Sequence, residues 1–126
     1  MQKIEIDRAS IECCARAAHE ANRAFADRLG TQEPVWEQAD DRHKESVREG
    51  VINVIENNLT PEQGHENWRA RKIAEGWTHG EVKDIRLKTH PALVPYGDLP
   101  LEQKVKNEMF SDIVKAVYRA QRAVPQ

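Results

Sequence analysis

Residues 65–96 constrain the fold of this chain more than any other segment, because they combine helix-breaking residues with most of the tryptophans. The segment HENWRARKIAEGWTHGEVKDIRLKTHPALVPY contains two of the three tryptophans, three of the five histidines and two of the six glycines. Gly76, Gly80, Pro91 and Pro95 disfavour a continuous helix through it. On both sides, apolar residues recur at helical spacing. The sequence therefore predicts a helical domain built around one irregular, aromatic-rich segment.

The length and the charge of the chain restrict its class. At 126 residues it is long enough for one modest core, so we expect a single domain over residues 1–126. Lys and Arg number 19 against 21 for Asp and Glu, a formal net charge of −2. Because nonspecific nucleic-acid binding needs a surplus of cations, we expect no nucleic-acid partner. With no secretory leader and no apolar run of about 20 residues, we expect a cytoplasmic protein without a membrane partner.

Helix signals fill the N-terminal half, which we place at residues 7–59. Asp7 or Ser10 caps a first helix that reaches Leu29, and Gly30 supplies the left-handed stop. Asn22 lies on the apolar stripe of this helix, either as a satisfied buried amide or as a contact to a ligand. The apolar members of this stripe recur at spacings of three, four and seven residues. They are Ile11, Ala15, Ala18, Phe25 and Leu29.

Two features inside the helices of this half need an explanation. Cys13 and Cys14 are adjacent on the first helix; they are either a reactive thiol pair or, more simply, one of them packs in the core. A second helix is predicted over residues 36–58, and Gly50 lies in its interior. Glycine there costs about 1 kcal/mol relative to alanine, so we expect a close crossing with another helix at this point.

The C-terminal half, residues 60–122, begins with a clear helix start. Thr60 is followed by Pro61 and, three residues after the cap, by Gln63, which is the pattern of a capping box with proline at the first position. Gly76 ends this third helix. One of its faces carries His65, Trp68 and Lys72. A second face, better suited to the core, carries Ala70, Ile73, Ala74 and Trp77.

Residues 78–97 are rich in turn signals, with short strands predicted at 82–85 and 93–94. Asp98 or Leu99 then caps a last helix that has Pro100 near its first position. We therefore predict a mainly α fold: a compact four-helix domain with a turn-rich, weakly stranded insert before the last helix.

The two halves also resemble each other weakly. The segment HEANR at 19–23 is similar to HENWR at 65–69, and PVWEQA at 34–39 is similar to VPYGDL at 94–99. Each half would then consist of a helix, a connector with an aromatic residue, and a second helix. Internal duplication and chance both remain open as explanations.

The sequence lacks the signatures of the common catalytic and metal sites. His-Glu occurs twice, but Arg23 and Arg69 stand where an H-E-x-x-H motif needs its second histidine. Gly76, Gly80 and Gly97 match neither the dinucleotide-binding nor the P-loop spacing, and no G-x-S-x-G is present. We therefore expect no catalytic residue, no metal ion and no cofactor.

The chemistry that remains is recognition. Trp68, Trp77 and Tyr96 offer planes on which a base can stack, at about 1–3 kcal/mol per base. For Trp77 a place in the core is the favoured alternative, whereas for Trp68 the core and a binding surface are equally open. Glu66 and Asp84 can orient cations or bind a hydroxyl group. The cations that can meet a phosphate are Arg69, Arg71, Lys72 and Lys88.

Residues 65–109 contain an ordered series of motifs. They are HExW at 65–68, KI at 72–73, GWTxG at 76–80, VxD at 82–84, KTHP at 88–91, LVPY at 93–96, LP at 99–100 and QK at 103–104. The series resembles the ryanodine-receptor repeat, called the RyR domain. The N-terminal half, with HExNR at 19–23 and WxxA at 36–39, resembles that of stand-alone bacterial and phage members.

The resemblance implies a non-enzymatic binding module for a nucleotide or a nucleotide-derived small molecule, used for sensing or sequestration. In the large channels such repeats are not catalytic and lie in tandem on the cytoplasmic surface, where paired repeats hold an adenine nucleotide against their tryptophans. The alternative is a protein-interaction or dimerisation module without a small-molecule ligand. His79 departs from the family, which usually has tyrosine there, so ligand selectivity here is expected to differ and to depend on pH.

These considerations lead to one expectation about assembly and one set of residues. Because two planes hold a flat base better than the single plane of Trp68, we expect a homodimer with the ligand near the shared surface. The candidate ligand-binding residues are Asn22, His65, Trp68, Arg69, Lys72, Trp77, His79, Asp84, Lys88 and Tyr96.

Overall fold

A computed structural model describes residues 4–123. The sequence suggests an extended lead-in over residues 1–6 and a frayed tail over residues 123–126, and most of both segments, at 1–3 and 124–126, lies outside the described residues. The four helices are α1 (Arg8–Arg28), α2 (Asp41–Ile55), α3 (Pro61–Ala74) and α4 (Leu101–Arg122). Two 3₁₀ turns, Trp36–Gln38 and Tyr96–Asp98, precede α2 and α4, and two short strands, β1 (Thr78–His79) and β2 (Thr89–His90), follow α3. The predicted fold class is therefore confirmed. Within residues 4–123, no helix is both long and apolar enough to cross a membrane.

The local signals at the helix ends act as predicted. The Asp7 carboxylate accepts from the backbone N–H of Ser10 at 3.2 Å, which caps α1. At the start of α3 the capping box is complete: the Thr60 hydroxyl accepts from the backbone N–H of Gln63 at 3.2 Å, and the Gln63 side chain accepts from that of Thr60 at 3.0 Å. Gly30 (φ 87°) and Gly76 (φ 92°) end α1 and α3 in the left-handed conformation that glycine adopts without a steric penalty.

The predicted start of the second helix is wrong. Trp36 opens only a short 3₁₀ turn, and Ala39 and Asp40 are extended before α2 begins at Asp41. The cause is local, because the Asp40 carboxylate accepts from the backbone N–H of His43 at 2.8 Å and so makes Asp40 the N-cap. The helix also ends at Ile55, a turn earlier than predicted.

The second 3₁₀ turn displaces the predicted start of the last helix in the same way. Asp98 belongs to this turn, and Leu99 is extended after it. The N-cap of α4 is Pro100, which makes no side-chain capping hydrogen bond.

The predicted strands at 82–85 and 93–94 are also wrong. The two strands are parallel, with Thr78 paired to Thr89 and His79 to His90. Gly80 explains the position of the pair: a Cβ atom there would lie 2.7 Å from Cβ of Thr89, so only glycine lets the two segments approach this closely.

The core lies among α1, α2 and α4. Cys14, Val51 and Val114 are completely buried at its centre. The interpretation that one of the two cysteines packs in the core is confirmed: Cys14 is buried and Cys13 is exposed, and burial raises the pKa of the Cys14 thiol to about 11. Leu29, which the sequence places on the buried stripe of α1, is instead 53% exposed, because it follows the last turn of the helix. The close crossing predicted at Gly50 is present, since a Cβ atom there would lie 2.9 Å from the ring of Phe110 on α4.

The orientation of α3 is the reverse of the prediction. Ala70, Ile73 and Ala74 face solvent, with Ile73 52% exposed, whereas His65 is buried and Trp68 is half-buried. The alanines bury little apolar surface, so the aromatic face of the helix contributes more when it turns inward. Trp77 is buried, as the core alternative requires, but it follows the end of the helix and does not fix which face of α3 turns inward.

Candidate functional site

A histidine in each half holds the segment that follows its helix. Nε2 of His19 lies 2.8 Å from the carbonyl oxygen of Pro34, and Nε2 of His65 lies 2.8 Å from that of Val94. A carbonyl oxygen can only accept a hydrogen bond, so each Nε2 carries the proton. Both rings are buried. The two histidines therefore fix the two connectors in the same way.

The glutamate after each histidine holds the 3₁₀ turn. The Glu20 carboxylate accepts from the backbone N–H of Trp36 at 2.8 Å, and the Glu66 carboxylate accepts from that of Tyr96 at 2.9 Å. The aromatic ring that follows lies close to the histidine in both halves, at 5.5 Å between Trp36 and His19 and at 5.9 Å between Tyr96 and His65.

Each glutamate also pairs with an arginine three positions later. Arg23 lies 2.9 Å from Glu20, and Arg69 lies 3.0 Å from Glu66. The backbone hydrogen bond, reinforced by the arginine, holds the pKa of both carboxyl groups below its usual value. The weak sequence similarity between the halves thus corresponds to one local geometry that is built twice.

In the first half this arrangement is closed by side chains of α2. The second ring nitrogen of His19, Nδ1, lies 3.1 Å from Nε2 of His43. Lys44 and Arg48 each lie 5.6 Å from the ring centre of Trp36, whose side chain is only 3% exposed. Because protein groups cover both rings, no aromatic plane is left for a ligand here.

In the second half an aromatic surface remains partly open. Its centre is the half-buried Trp68, whose ring centre lies 5.6 Å from that of His65 and 5.1 Å from that of His90. The ring centre of Tyr96 lies 5.9 Å from that of His65. We call these four residues the Trp68 surface. The position of Trp68 in the first half is taken by Asn22, which has no ring, so within residues 4–123 the first half has no counterpart of this surface.

His90 is the member of the Trp68 surface that the candidate residues omit. Its Nδ1 accepts from the backbone N–H of Ala92 at 3.0 Å, and its ring stands almost perpendicular to the indole of Trp68, at 76°. Burial, together with the positive charges of Lys83 and Lys72, lowers the pKa of His90 to about 4. The ring is therefore neutral at physiological pH. Its place in the KTHP motif at 88–91 was the available signal, although a motif does not say what the side chain touches.

Cations lie at the edge of the Trp68 surface. Lys72 sits over the ring of Trp77 at 4.9 Å, and both Lys72 and Lys83 are close enough to His90 to depress its pKa. Lys83, in the insert, is a second residue that the sequence did not identify, and its charge also lowers the pKa of His43 on α2. Arg69 is held by Glu66, and its Nε is buried without a hydrogen-bond partner within residues 4–123.

Four of the candidate residues have other roles in the structure. The Lys88 ammonium donates to the carbonyl oxygen of Glu75 at 2.9 Å and so closes the end of α3. The Asp84 carboxylate accepts from the backbone N–H of Leu87 at 3.0 Å in the insert. His79 is exposed in β1. Asn22 lies in the first half, where its Nδ2 donates to the carbonyl oxygen of Lys106 at 3.3 Å and its Oδ1 is buried without a partner within residues 4–123.

Two open clefts lie elsewhere, on either side of the ion pair between Glu33 and Lys106. One has a volume of about 190 Å³ and is lined by Arg23, Asp27, Gln32 and Glu33. The other has a volume of about 210 Å³ and lies between the end of α1 and the start of α4. Both lack an aromatic ring, so we regard the Trp68 surface as the better candidate for a planar ligand. Among the described residues, no three His, Cys, Asp or Glu side chains are grouped in a way that could hold a metal ion.

The comparison with protein families agrees with the resemblance in the motifs. The family model described as the RyR domain matches residues 49–124, from the middle of α2 to the end of α4. The match covers more than half of the chain, and the chain therefore belongs to the RyR domain family.

Proposed function

We propose that this RyR-domain protein is a non-enzymatic binding module for a nucleotide or a nucleotide-derived small molecule, and that the Trp68 surface is its site. The observation that carries the proposal is the half-buried indole of Trp68 with the imidazoles of His65 at 5.6 Å and His90 at 5.1 Å, and with Lys72 and Lys83 close enough to lower the pKa of His90. A flat base and an anionic phosphate need this combination of a plane and nearby cations.

We assign the base and the phosphate of the ligand to different residues of the site. The base stacks on Trp68, which contributes about 1–3 kcal/mol to binding. The phosphate meets Lys72 and Lys83, whose ammonium groups can approach it as point charges. Glu66 accepts hydrogen bonds from the Arg69 side chain and from the backbone N–H of Tyr96, so these two residues position the site.

A thermal-shift series with mono-, di- and cyclic nucleotides tests the proposal, followed by titration calorimetry of any nucleotide that stabilises the protein. A ligand present at about 100 times its dissociation constant adds roughly 2.7 kcal/mol to the free energy of unfolding. Trp68→Ala should weaken binding by about 1–3 kcal/mol. Asn22→Ala, at the matching position of the first half, is the control and should leave binding unchanged. If no nucleotide raises the melting temperature, the proposal fails.

A second candidate function is supported by a separate observation. The insert between β1 and β2 exposes three large apolar side chains, Val82 at 74%, Ile85 at 61% and Leu87 at 64%. Exposed apolar residues in one short loop are typical of a surface that binds another protein. A homodimer that uses this loop is the simplest form of that function.

Light scattering with and without nucleotide separates the two candidates. A dimer that Ile85→Glu converts to a monomer, while Ile73→Glu on the exposed face of α3 does not, supports the interaction module. A monomer under all conditions removes the homodimer and leaves the nucleotide proposal untouched.

A further inference from the structure

The contact between His19 and His43 joins α1 to α2 through two ring nitrogens. Nδ1 of His19 lies 3.1 Å from Nε2 of His43, and the other nitrogen of His19, Nε2, lies 2.8 Å from the carbonyl oxygen of Pro34. The carbonyl oxygen can only accept, so it keeps a proton on Nε2 of His19 and fixes the orientation of that ring. His19 is buried, whereas His43 is exposed. His43 is therefore the ring that can move away from α1.

The number of protons on the two rings decides whether this contact can exist. When both rings are neutral, Nδ1 of His19 has a lone pair and Nε2–H of His43 donates to it. One extra proton leaves a single N–H between the two nitrogens, whichever ring carries the charge, so the hydrogen bond remains. A second extra proton places an N–H on both nitrogens. Two donors and two positive rings then face each other at 3.1 Å, so the contact has to open.

Other cations near the pair oppose the second proton. Burial of the His43 ring against α1 lowers its pKa, and so do the positive charge of His19 and that of Lys83 in the insert. The indole of Trp36, 5.5 Å from His19, has two more cations over it. These are Lys44 and Arg48 on α2. Positive charge thus surrounds the two histidines from the insert and from α2.

The carboxylates that act on the pair already have partners. Among the described residues they are Asp40 and Glu33 at His43, and Glu20 next to His19. Asp40 accepts from a backbone N–H at 2.8 Å, Glu33 lies 3.3 Å from an ammonium group of α4, and Glu20 lies 2.9 Å from a guanidinium group of α1. They stabilise one positive charge on the pair better than two adjacent ones.

We propose that the contact between His19 and His43 is a pH-sensitive switch, which joins α1 to α2 while the two rings share at most one extra proton and opens when both rings are charged. The inference is independent of the proposed function, because the nucleotide site is placed in the second half. Opening uncovers Nδ1 of His19, while Pro34 still holds the ring from its other side. The ion pair of Glu12 and Arg48 also joins the two helices, so the opening is local.

Proton linkage sets how steeply the contact opens. In the open state both rings meet water and are charged below about pH 6.5, whereas the closed pair holds at most one extra proton. Opening therefore takes up at least one proton. The ratio of open to closed molecules should then rise at least about tenfold for each unit by which the pH falls.

Nuclear magnetic resonance of the full chain with ¹⁵N-labelled histidines tests the switch. The ¹⁵N shifts report the protonation of each ring nitrogen, and the nuclear Overhauser effect between the rings of His19 and His43 reports their contact. In a titration from about pH 7.5 to 4.5, the contact should survive the first extra proton and disappear with the second. The contact between His65 and Tyr96, 5.9 Å between ring centres, is the internal reference and should persist, because only one of those rings takes up a proton in this range.

Two variants at position 43 supply the matched controls. His43→Gln keeps an amide that can donate to Nδ1 of His19 and can turn its oxygen towards that atom once it is protonated, so the side chain at position 43 should stay near His19 throughout the titration. His43→Ala lacks the contact at every pH and gives the spectrum of His19 in the open state. The natural protein should approach that spectrum as the pH falls.

Three results would overturn the inference. A contact that persists while both rings are charged shows that the pair does not open. Loss of the contact in His43→Gln over the same pH range assigns the change to another titrating group. If the contact between His65 and Tyr96 is lost at the same pH, the domain unfolds as a whole and no local switch exists.

Discussion

The two halves of this protein build the same arrangement and use it differently. His19 and His65 hold their connectors through equal hydrogen bonds, and Glu20 and Glu66 hold the two 3₁₀ turns in the same way. In the first half His43 covers the histidine and the arrangement becomes part of the core. In the second half the histidine stays available beside Trp68. The same arrangement is thus closed by residues of α2 in the first half, and it borders the candidate binding surface in the second.

The helix that carries each histidine shows a parallel difference. Helices α1 and α4 run antiparallel. Asp7 at the start of α1 pairs with Arg122 at the end of α4, and Asn22, further along α1, donates to the carbonyl oxygen of Lys106 near the start of α4. Trp68 stands at the same position of α3. An indole is far larger than an amide, and α3 is tied to α2 through the ion pair of Arg71 and Glu49 at its exposed side. The larger ring belongs to the half in which we place the ligand.

The largest expected effect separates the two tryptophans. Trp36→Ala should reduce the free energy of unfolding by about 3–5 kcal/mol, because its ring is almost fully buried and covered by cations. Trp68→Ala should cost clearly less, since part of its ring already faces solvent. Urea unfolding of both variants measures the difference. Equal losses would mean that Trp68 is core and that the two halves do not differ in the way described.

The next effect depends on pH and belongs mainly to the second half. The pKa of His90 is about 4 in the folded protein against about 6.5 for an unperturbed histidine, so the unfolded chain takes up the proton first as the pH falls. Stability should be complete above pH 6.5 and should drop by about 3 kcal/mol between pH 6.5 and 4 from this residue. In His90→Asn the decline measured by urea unfolding should be shallower. An unchanged slope would show that His90 does not carry the decline, leaving His43, whose pKa burial also lowers, as the source.

A smaller effect should be the same in both halves. Gly30 and Gly76 end equivalent helices at nearly equal positive φ, so Gly30→Val and Gly76→Val should each cost about 1–2 kcal/mol. Thermal melting of the two variants checks the equality. Because neither glycine is a candidate ligand contact, nucleotide binding should persist in both. A Gly76 variant with normal melting and lost binding would contradict this assignment.

The smallest effect concerns the two lysines that lie over tryptophans. Lys72→Ala should weaken nucleotide binding by about 1 kcal/mol and reduce its dependence on salt, as expected for one phosphate contact. Lys44→Ala, which removes the cation over Trp36, should leave binding unchanged. Calorimetry at two salt concentrations measures both. Equal losses in the two variants would indicate a general electrostatic effect and no local site.

What the sequence could predict was decided by short-range interactions. The cap at Asp7, the capping box at Thr60 and the glycines at 30 and 76 depend on neighbours within a few residues, and all are present. The strands and the inward face of α3 could not be predicted from near neighbours. The strands depend on the close approach of Gly80 to Thr89, and the inward face of α3 depends on which side of that helix the insert covers. The late start of α2 was readable from Asp40, but the aromatic pattern at Trp36 suggested an earlier one.

The same division applies to the site. His65 and Trp68 lie on one turn of a predicted helix, so their proximity follows from spacing. His90 and Lys83 reach that surface through the fold of the insert, and no periodicity connects them to α3. His43 was not considered, since its contact with His19 spans two helices.

The crossing of Gly50 and Phe110 requires different residues at matching positions of the two halves. The two residues occupy matching positions of α2 and α4, and they touch each other, as matching positions do where a two-fold axis passes. In a dimer of two identical half-length chains, the same residue would lie on both sides of that axis. Two glycines there would leave a void, and two phenylalanine rings would compete for the same space. In a single covalent chain the two positions can carry different residues, so the ring of Phe110 can pack against Gly50.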